Sequence, residues 1–523
     1  MGYTGTMVPI ILGQGGLHTD DSSIVIPPTD LIKANNVTIF NNQIEKMAGS
    51  TKYNTTPLSD ELVSIVDWFP TPNVQRLIAV TADGKVYRDT GDKTFTGGVA
   101  IESSLGSLNP NVVAVTAGNE TASDDKKLFL FTGTNQVKVL AGDAAVFTDI
   151  ADPAADWTVN YPKGGFSHRG RLFAFLGHNV YASMSTNHED FVDATSLLFN
   201  VFPGEGDEII AGFVFKGRAF VAKSPNGIYF LNDQDTDPDN WYFQKLSSTF
   251  GISSTNGFVQ ALDDMLVGNT TRSITSMRAA DTFGDIESGD ILSILRIENF
   301  IREETSTGGT STQHALYYEE KKMALFTYRS TVGTANDRIL YIDLNKPQQP
   351  RAVFSDKDQA SCLGLRRGVD NVKVPMYGNS DGYIYLMDRA DRNVGGVAYT
   401  GEFQLPYMDF GFVDQSLINK RKIFDFIEVT FAPEGSWNLS IDVYIDEEFS
   451  ETIEVPMIVG ARYDSAIFDT DRFSYEEPQP VRKTLHGSGR RISLRCYNSG
   501  LDETFKVMQI GIGFRPADEG QVR

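Results

Sequence analysis

The stretch Lys216-Gly217-Arg218-Ala219-Phe220-Val221-Ala222, followed by a turn at Asn226-Gly227 and then Ile228-Tyr229, decides the fold. A charged turn opens it, an apolar strand follows, a Gly/Asn turn reverses the chain, and a second strand closes on an aromatic. Short runs rich in β-branched and aromatic residues, bounded by Gly, Asn and Asp, are strand signatures. The same unit recurs outward in both directions. Residues 75–80 lead through Asp83-Gly84 to Val86-Tyr87, residues 127–131 through Gly133 to 137–139, and residues 169–175 through His178-Asn179 to Val180-Tyr181. Fainter copies cover 265–275 and 323–341, and the last runs from 372 to 385. Repeats of about 40–50 residues with four short strands each are the size of propeller blades. One such meander cannot bury both of its faces, but radial neighbours can. Seven units imply an all-β chain with a six- or seven-bladed β-propeller, the number depending on how the ring closes. A tandem array of sandwiches is the competing arrangement.

The spacing stretches once, between the units that close at Thr275 and Tyr341. There Ile291, Leu292, Leu295 and Phe300 recur at near-helical spacing, which predicts one inserted helix at about 283–305. Beyond Tyr399 the pattern changes to longer alternating strands at 424–431, 437–444, 452–459, 491–497 and 505–514, with a hairpin turn at Asp446-Glu447-Glu448. Five such strands predict a β-sandwich over 401–523, following a propeller over 59–400. Residues 1–58 differ again: Gly-rich and polar from 13 to 23, interrupted by Pro27-Pro28, then two short strands around Asn41-Asn42. Two uses are open to such an arm. It can supply the strand that closes the ring, or it can reach onto a neighbouring subunit.

With 523 residues, 46 Lys+Arg and 68 Asp+Glu, the chain carries a formal charge of −22. That balance argues against a protein that grips nucleic acid or anionic membrane with its overall field. Hydrophobic residues at 41% suffice for several cores and exclude a disordered chain. Two distant cysteines, Cys362 and Cys496, make no disulfide framework and suit a reducing cytosol. The longest apolar run near the start, 8–12, is too short for an export or spanning segment, so a soluble, unexported chain is expected.

Candidate chemistry is sparse. Six histidines stand at no metal-ligand spacing, and no phosphate-binding loop occurs. Gly378-Asn379-Ser380-Asp381-Gly382 matches a nucleophile elbow in letters, but Tyr383-Ile384-Tyr385 continues as a strand where a helix is needed. Asp233, Asp235 and Asp237 alternate in a loop as a weak Ca²⁺ candidate, although Pro238 stands where a Gly is required. No catalytic residue and no cofactor is assigned, and the chain reads as a non-enzyme. The clusters Lys420-Arg421-Lys422 and Arg490-Arg491 are possible contact points. Trp157, Tyr161 and Trp241 are candidate anchors for a receptor-binding propeller.

The opening Gly15-Gly16-Leu17-His18-Thr19-Asp20, then Ile26-Pro27, Ala34-Asn35-Asn36-Val37, Ile44-Glu45-Lys46 and Gly49-Ser50, resembles the N-terminal stretch of bacteriophage tail proteins in which a Gly-rich arm and hairpin precede a propeller. Gly401-Glu402-Phe403, Asp409-Phe410-Gly411 and Lys420-Arg421-Lys422 resemble the distal half of the same group. It is similar to the tail nozzle proteins of short-tailed phages, also called tail tube or packaged-DNA stabilisation proteins. The resemblance implies a structural virion protein in the tail, assembled in the host cytoplasm as a homo-hexameric ring below portal and adaptor proteins. Tail fibres or spikes are its implied neighbours. Such a ring retains packaged DNA and conducts it during ejection, without sequence-specific contact. Gly15, Gly16, Leu17 and Lys420, Arg421, Lys422 would then serve as interaction residues. The alternative is a receptor-binding tail propeller that recognises a host surface glycan or protein, and a carbohydrate-active propeller enzyme is the third reading.

Overall fold

In the strand Arg218–Ser224, Ala219 and Val221 point one way and Phe220 and Ala222 the other, and all four are buried. Successive strand side chains face opposite sides, so a run apolar on both sides needs a partner on each. Ala219 and Val221 pack toward the preceding blade, in a cluster with Phe173, Phe175 and Val180. Phe220 and Ala222 pack toward the next, with Met265 and Val267. Burying one Phe contributes roughly 2–3 kcal/mol, and each inter-blade seam holds several large side chains.

The computed structural model of the chain describes residues 6–90, 95, 100–108, 112–118, 125–278, 289–346, 349–368, 370–432, 435, 437–457 and 479–517. Seven antiparallel meanders form the propeller. Blade 1 has three strands, Leu62–Thr71, Val74–Thr81 and Val86–Arg88. Blades 2 to 6 are four-stranded, their innermost strands being Val113–Ala117, Gly164–His168, Glu208–Phe215, Phe258–Ala261 and Ala315–Tyr318. Blade 7 contributes Cys362–Arg367, Lys373–Gly378 and Ile384–Arg389. A buried cluster fills each seam, including the one between blades 7 and 1, where Cys362, Met376 and Ile384 meet Leu62, Leu77 and Tyr87. The ring therefore closes on seven blades.

The arm supplies five strands: β1 (Thr6–Ile10), β2 (Lys33–Asn35), β3 (Val37–Phe40), β4 (Gln43–Lys46) and β5 (Gly49–Lys52). Of the two uses open to it, the structure has ring closure: β5 is the outermost strand of blade 7, antiparallel to Ile384–Arg389. Asn54 clips it in place, donating to the carbonyl of Gly382 and accepting from the Ile384 amide at 2.7 Å. The other arm strands lie elsewhere. β1 and β4 both pair with Lys506–Pro516. β2 lies between Arg351–Ser355 of blade 6 and Gly401–Gln404, and so joins the propeller to the sandwich in one nine-stranded sheet.

The sandwich has one sheet ordered β3, β4, Lys506–Pro516, Lys422–Phe431, Gln479–Gly489. The other runs Gly401–Gln404, Ile492–Asn498, Trp437–Ile445, Glu448–Met457. Leu439, Ile441, Val443 and Leu494 from one face Ile427, Val429, Ile510 and Ile512 from the other. Asp446 and Glu447 have positive φ, 51° and 72°, the backbone a two-residue hairpin turn demands.

Of the one helix expected at about 283–305, residues 283–288 lie outside the described residues, and the rest is two short helices instead, α1 (Ile291–Leu295) and α2 (Glu298–Glu304), broken where Arg296 takes φ 58°. The arm holds the break: the amides of Thr19 and Asp20 donate to the Arg296 carbonyl. Asp20 in turn accepts from the amides of Glu298 and Asn299, at 3.1 and 2.8 Å, which satisfies two of the orphan donors at the start of α2.

Candidate functional site

The inner strands of the seven blades surround an axial cavity of about 510 Å³. Its wall mixes apolar side chains, Ile65, Val113, Phe166, Phe213 and Leu363 from five blades, with polar ones such as Ser64, Thr116 and Ser167. Small residues let the strands converge. A Cβ on Gly165 or Gly212 would strike the Phe131 and Phe166 rings. At the end where the inner strands begin, Asn256 Nδ2 donates to the carbonyl of Val112 at 3.3 Å, linking blade 5 to blade 2 across the axis. Beside that bond lies a second cavity of about 290 Å³, where Gly133 and Ile210 stand among the hydroxyl side chains Thr132, Thr134, Ser224, Ser253, Thr255 and Ser311 and the wall is more apolar than polar. Lys163 at its margin is ion-paired with Glu208, and this bond holds the Glu208 carboxyl below its ordinary range. Thr255 lines both cavities, is 6% exposed, and its hydroxyl has no hydrogen-bond partner.

The residues singled out by sequence are dispersed. Gly15 lies against Asp30, Gly16 takes φ 76° against the backbone of Ala352, and Leu17 is buried with its amide donating to the Ala352 carbonyl. Two of the three therefore seat the arm on this chain's own blade 6. Lys420 and Arg421 are exposed, but Lys422 is fully buried and donates to the carbonyls of Leu417, Lys420 and Arg490, each at 2.9 Å. Burial lowers its pKa. Asp235 and Asp237 are exposed and order their own turn, accepting from the amides of Asp237 and Asp239. Asp233 turns inward to His168, at 2.7 Å, and to Arg169. Burial opposes its ionisation, yet these two partners hold its carboxyl below the usual range. Among the described residues, no three His, Cys, Asp or Glu side chains converge as metal ligands. Trp157, read as a surface anchor, is buried at 1% exposure between blades 2 and 3, its ring 4.7 Å from Phe191. The elbow-like pentapeptide at 378–382 forms the turn between Lys373–Gly378 and Ile384–Arg389, with Asn379 accepting from the amides of Asp381 and Tyr383.

Two buried features escaped the sequence reading. Lys46 is fully buried where arm, sandwich and propeller meet. Its ammonium lies 3.0 Å from Asn498 Oδ1 and 4.6 Å from the centre of the Tyr399 ring. Burial brings its pKa down to about 8, against an opposing pull from Glu503. The alternation of β4, Gln43-Ile44-Glu45-Lys46, places Lys46 on the same face as Ile44, and that was the available signal. The hydroxyls around Thr255 come from blades 2, 4 and 5 and the entry to blade 6 and have no shared spacing. Both cysteines are buried, and burial pushes the Cys362 thiol up to about 12.

No family model matches the chain, and no curated protein matches it. Among solved structures, it is similar to the β-propeller domain of Cps50 (Swd1) from Myceliophteria thermophila, at 12% identity and a TM-score of 0.37, over 64% of this chain and 99% of that one. The propeller itself is established by the strand pairing: seven radial meanders, with β5 completing the last.

Proposed function

We propose that the chain is a structural virion protein, a subunit of the tail nozzle of a short-tailed bacteriophage that retains packaged DNA below the portal and adaptor and conducts it during ejection. The observation that carries the reading is the course of the arm. Residues 6–52 pair in succession with the sandwich, with blade 6 and with blade 7. This weave suits a part that must hold its shape against pressure, because the two β units cannot separate without breaking sheet hydrogen bonds. It also gives the Gly-rich opening, on which the resemblance to nozzle proteins rests, a structural task.

On this reading the conduit lies between copies. A DNA duplex, whose major groove alone is about 12 Å wide, cannot enter an axis bridged by Asn256 and Val112. A ring of chains each carrying −22 would repel phosphate and let DNA slide without sticking. Negative-stain microscopy and light scattering of the purified protein, alone and with portal–adaptor complex, test the proposal. A ring with a central channel is expected. A monomer under both conditions, together with absence of the chain from purified virions by mass spectrometry, would overturn it.

A further inference from the structure

We propose that Lys46 and Asn498 join in an intramolecular isopeptide bond, made by the chain itself with Glu503 as the proton carrier. The proposal stands whether or not the chain is a nozzle subunit. Three observations carry it. The first is contact: Lys46 Nζ lies 3.0 Å from Asn498 Oδ1, so the amine stands against the carboxamide it would attack. The second is the acid beside them. Asn498 Nδ2, the nitrogen that must leave, donates to Glu503 Oε2 at 3.0 Å and to the Asn438 carbonyl at 3.5 Å. A carboxyl group within hydrogen-bond reach of the leaving nitrogen is placed to carry a proton to it. The third is enclosure. Lys46 is 0% exposed and Asn498 2%, under the Tyr399 ring and beside the buried Phe505, whose carbonyl accepts from the Lys46 amide. Water, the competing nucleophile, is shut out. Gly401 opens the lane for the lysine stem: it is the cross-strand partner of Asn498, and a Cβ there would lie 2.7 Å from Lys46 Cγ. Burial also favours the reactive form, because it brings the Lys46 pKa down to about 8, and the neutral amine is the nucleophile.

The step balances without a co-reactant. Neutral Nζ adds to Asn498 Cγ, forming a C–N bond and a tetrahedral centre. Glu503 takes up the proton that Nζ gives away and hands it to Nδ2. The Cγ–Nδ2 bond then breaks, and ammonia departs. Lys422, as buried as Lys46, shows the contrast: its ammonium faces the backbone carbonyls of Leu417, Lys420 and Arg490, where the same substitution would cut the chain.

What the bond would do follows from its ends. β4 belongs to one sheet of the sandwich and Ile492–Asn498 to the other, so the link crosses between the two layers. Its ends are 452 positions apart, and the covalent loop takes in all seven blades. β5, which completes blade 7, begins just after Lys46 and would be tethered by the same bond.

The test is the intact mass of the full chain, unfolded for measurement and followed over days, together with a map of its proteolytic peptides. A mass below that of the sequence by one ammonia is expected, with a branched peptide joining Lys46 to Asn498. The branched peptide distinguishes this bond from cyclisation of an asparagine, which also sheds ammonia. Lys46→Arg and Asn498→Ala should keep the full mass of their own sequences. Glu503→Gln keeps the shape and should slow the loss about a hundred-fold or more. If a variant fails to fold, the branched peptide of the parent chain still decides. Lys46 titrates only while its amine is free, so its pH behaviour belongs to chain that still has the full sequence mass. Three outcomes would overturn the proposal: the parent keeps its sequence mass throughout, ammonia is lost without a Lys46–Asn498 peptide, or Glu503→Gln links as fast as the parent.

Discussion

Blades 4 and 7 are the same four-strand meander closed in two different ways. Blade 4 takes all its strands from residues 208–247, ending with Tyr242–Ser247 beside Ile228–Asn232. Blade 7 takes its last strand from β5, and Asn54 of the arm bonds to Ile384 across a separation of 330 residues. Blade 4 therefore completes its strand pairing locally, and its neighbours then bury its two apolar faces. Blade 7 exists as a complete sheet only when the ring is closed, so whatever weakens β5 weakens the circle and the joint to the sandwich together. The contrast shows that seven similar units need not be equally independent.

The largest expected break comes at Gly49. Its amide donates to the Asp391 carbonyl at 2.7 Å, and a Cβ there would overlap the carbonyl oxygens of Asp391 and Asn393, which are backbone and cannot swing away. Gly49→Ala should cost about 3 kcal/mol, and thermal unfolding followed by calorimetry should show the loss. An unchanged melting temperature would mean that β5 is not held as described. Next is Asn54→Ala, which strands the Ile384 amide and should cost about 2 kcal/mol. Hydrogen exchange sharpens the comparison here: protection should fall along Ile384–Arg389 while Arg218–Ser224 of blade 4 stays as it was. Equal loss in both blades would mean that the ring opens as a single unit.

The smallest effect is a slope. Lys46 titrates near 8 in the folded chain and near 10.5 when unfolded. Between those values the unfolded chain binds more protons, so this residue's contribution makes stability rise with pH across that window, by up to about 1.4 kcal/mol per unit. Below pH 8 both states are protonated and the residue adds no slope. Lys46→Met should remove the rise, and denaturant midpoints of the two proteins compared between pH 8 and 9.5 would reveal it. Parallel curves would place the Lys46 ammonium in solvent.

How much could be read from the letters follows the same division. Blade 4 was legible because its strands, its Asn226-Gly227 turn and its aromatic close all lie within one window. β5 was not: Gly49-Ser50-Thr51-Lys52 is polar, lacks an aromatic, and its partner is chosen by the global ring rather than by local pattern. The later sandwich strands alternated visibly, but the contribution of β1 and β4 to that sheet had no local mark. Of the site residues, Asp233 was grouped with Asp235 and Asp237 by spacing alone, although the end of the strand Ile228–Asn232 turns it inward to His168. Lys422 was grouped with its two basic neighbours because most such triplets are solvated, and only the tertiary fold supplies three carbonyls around its ammonium. Thr255 could not have been found, because a threonine before a strand is commonplace and its lack of a partner is a property of seven blades meeting.

The arm also sets a clock. A ribosome adds roughly 5–20 residues each second, so β5 emerges and then waits roughly 15–65 s for its partner, 330 residues later, to be made. Lys46 waits longer still for Asn498, at a separation of 452. Throughout that interval the arm strands have no permanent place, while blades 1 to 6 can form one after another. The arm's prolines, Pro9, Pro27 and Pro28, and its glycines interrupt continuous pairing, which guards the waiting segment against strands of other nascent chains. The last act of folding is then the return of strands made before the propeller.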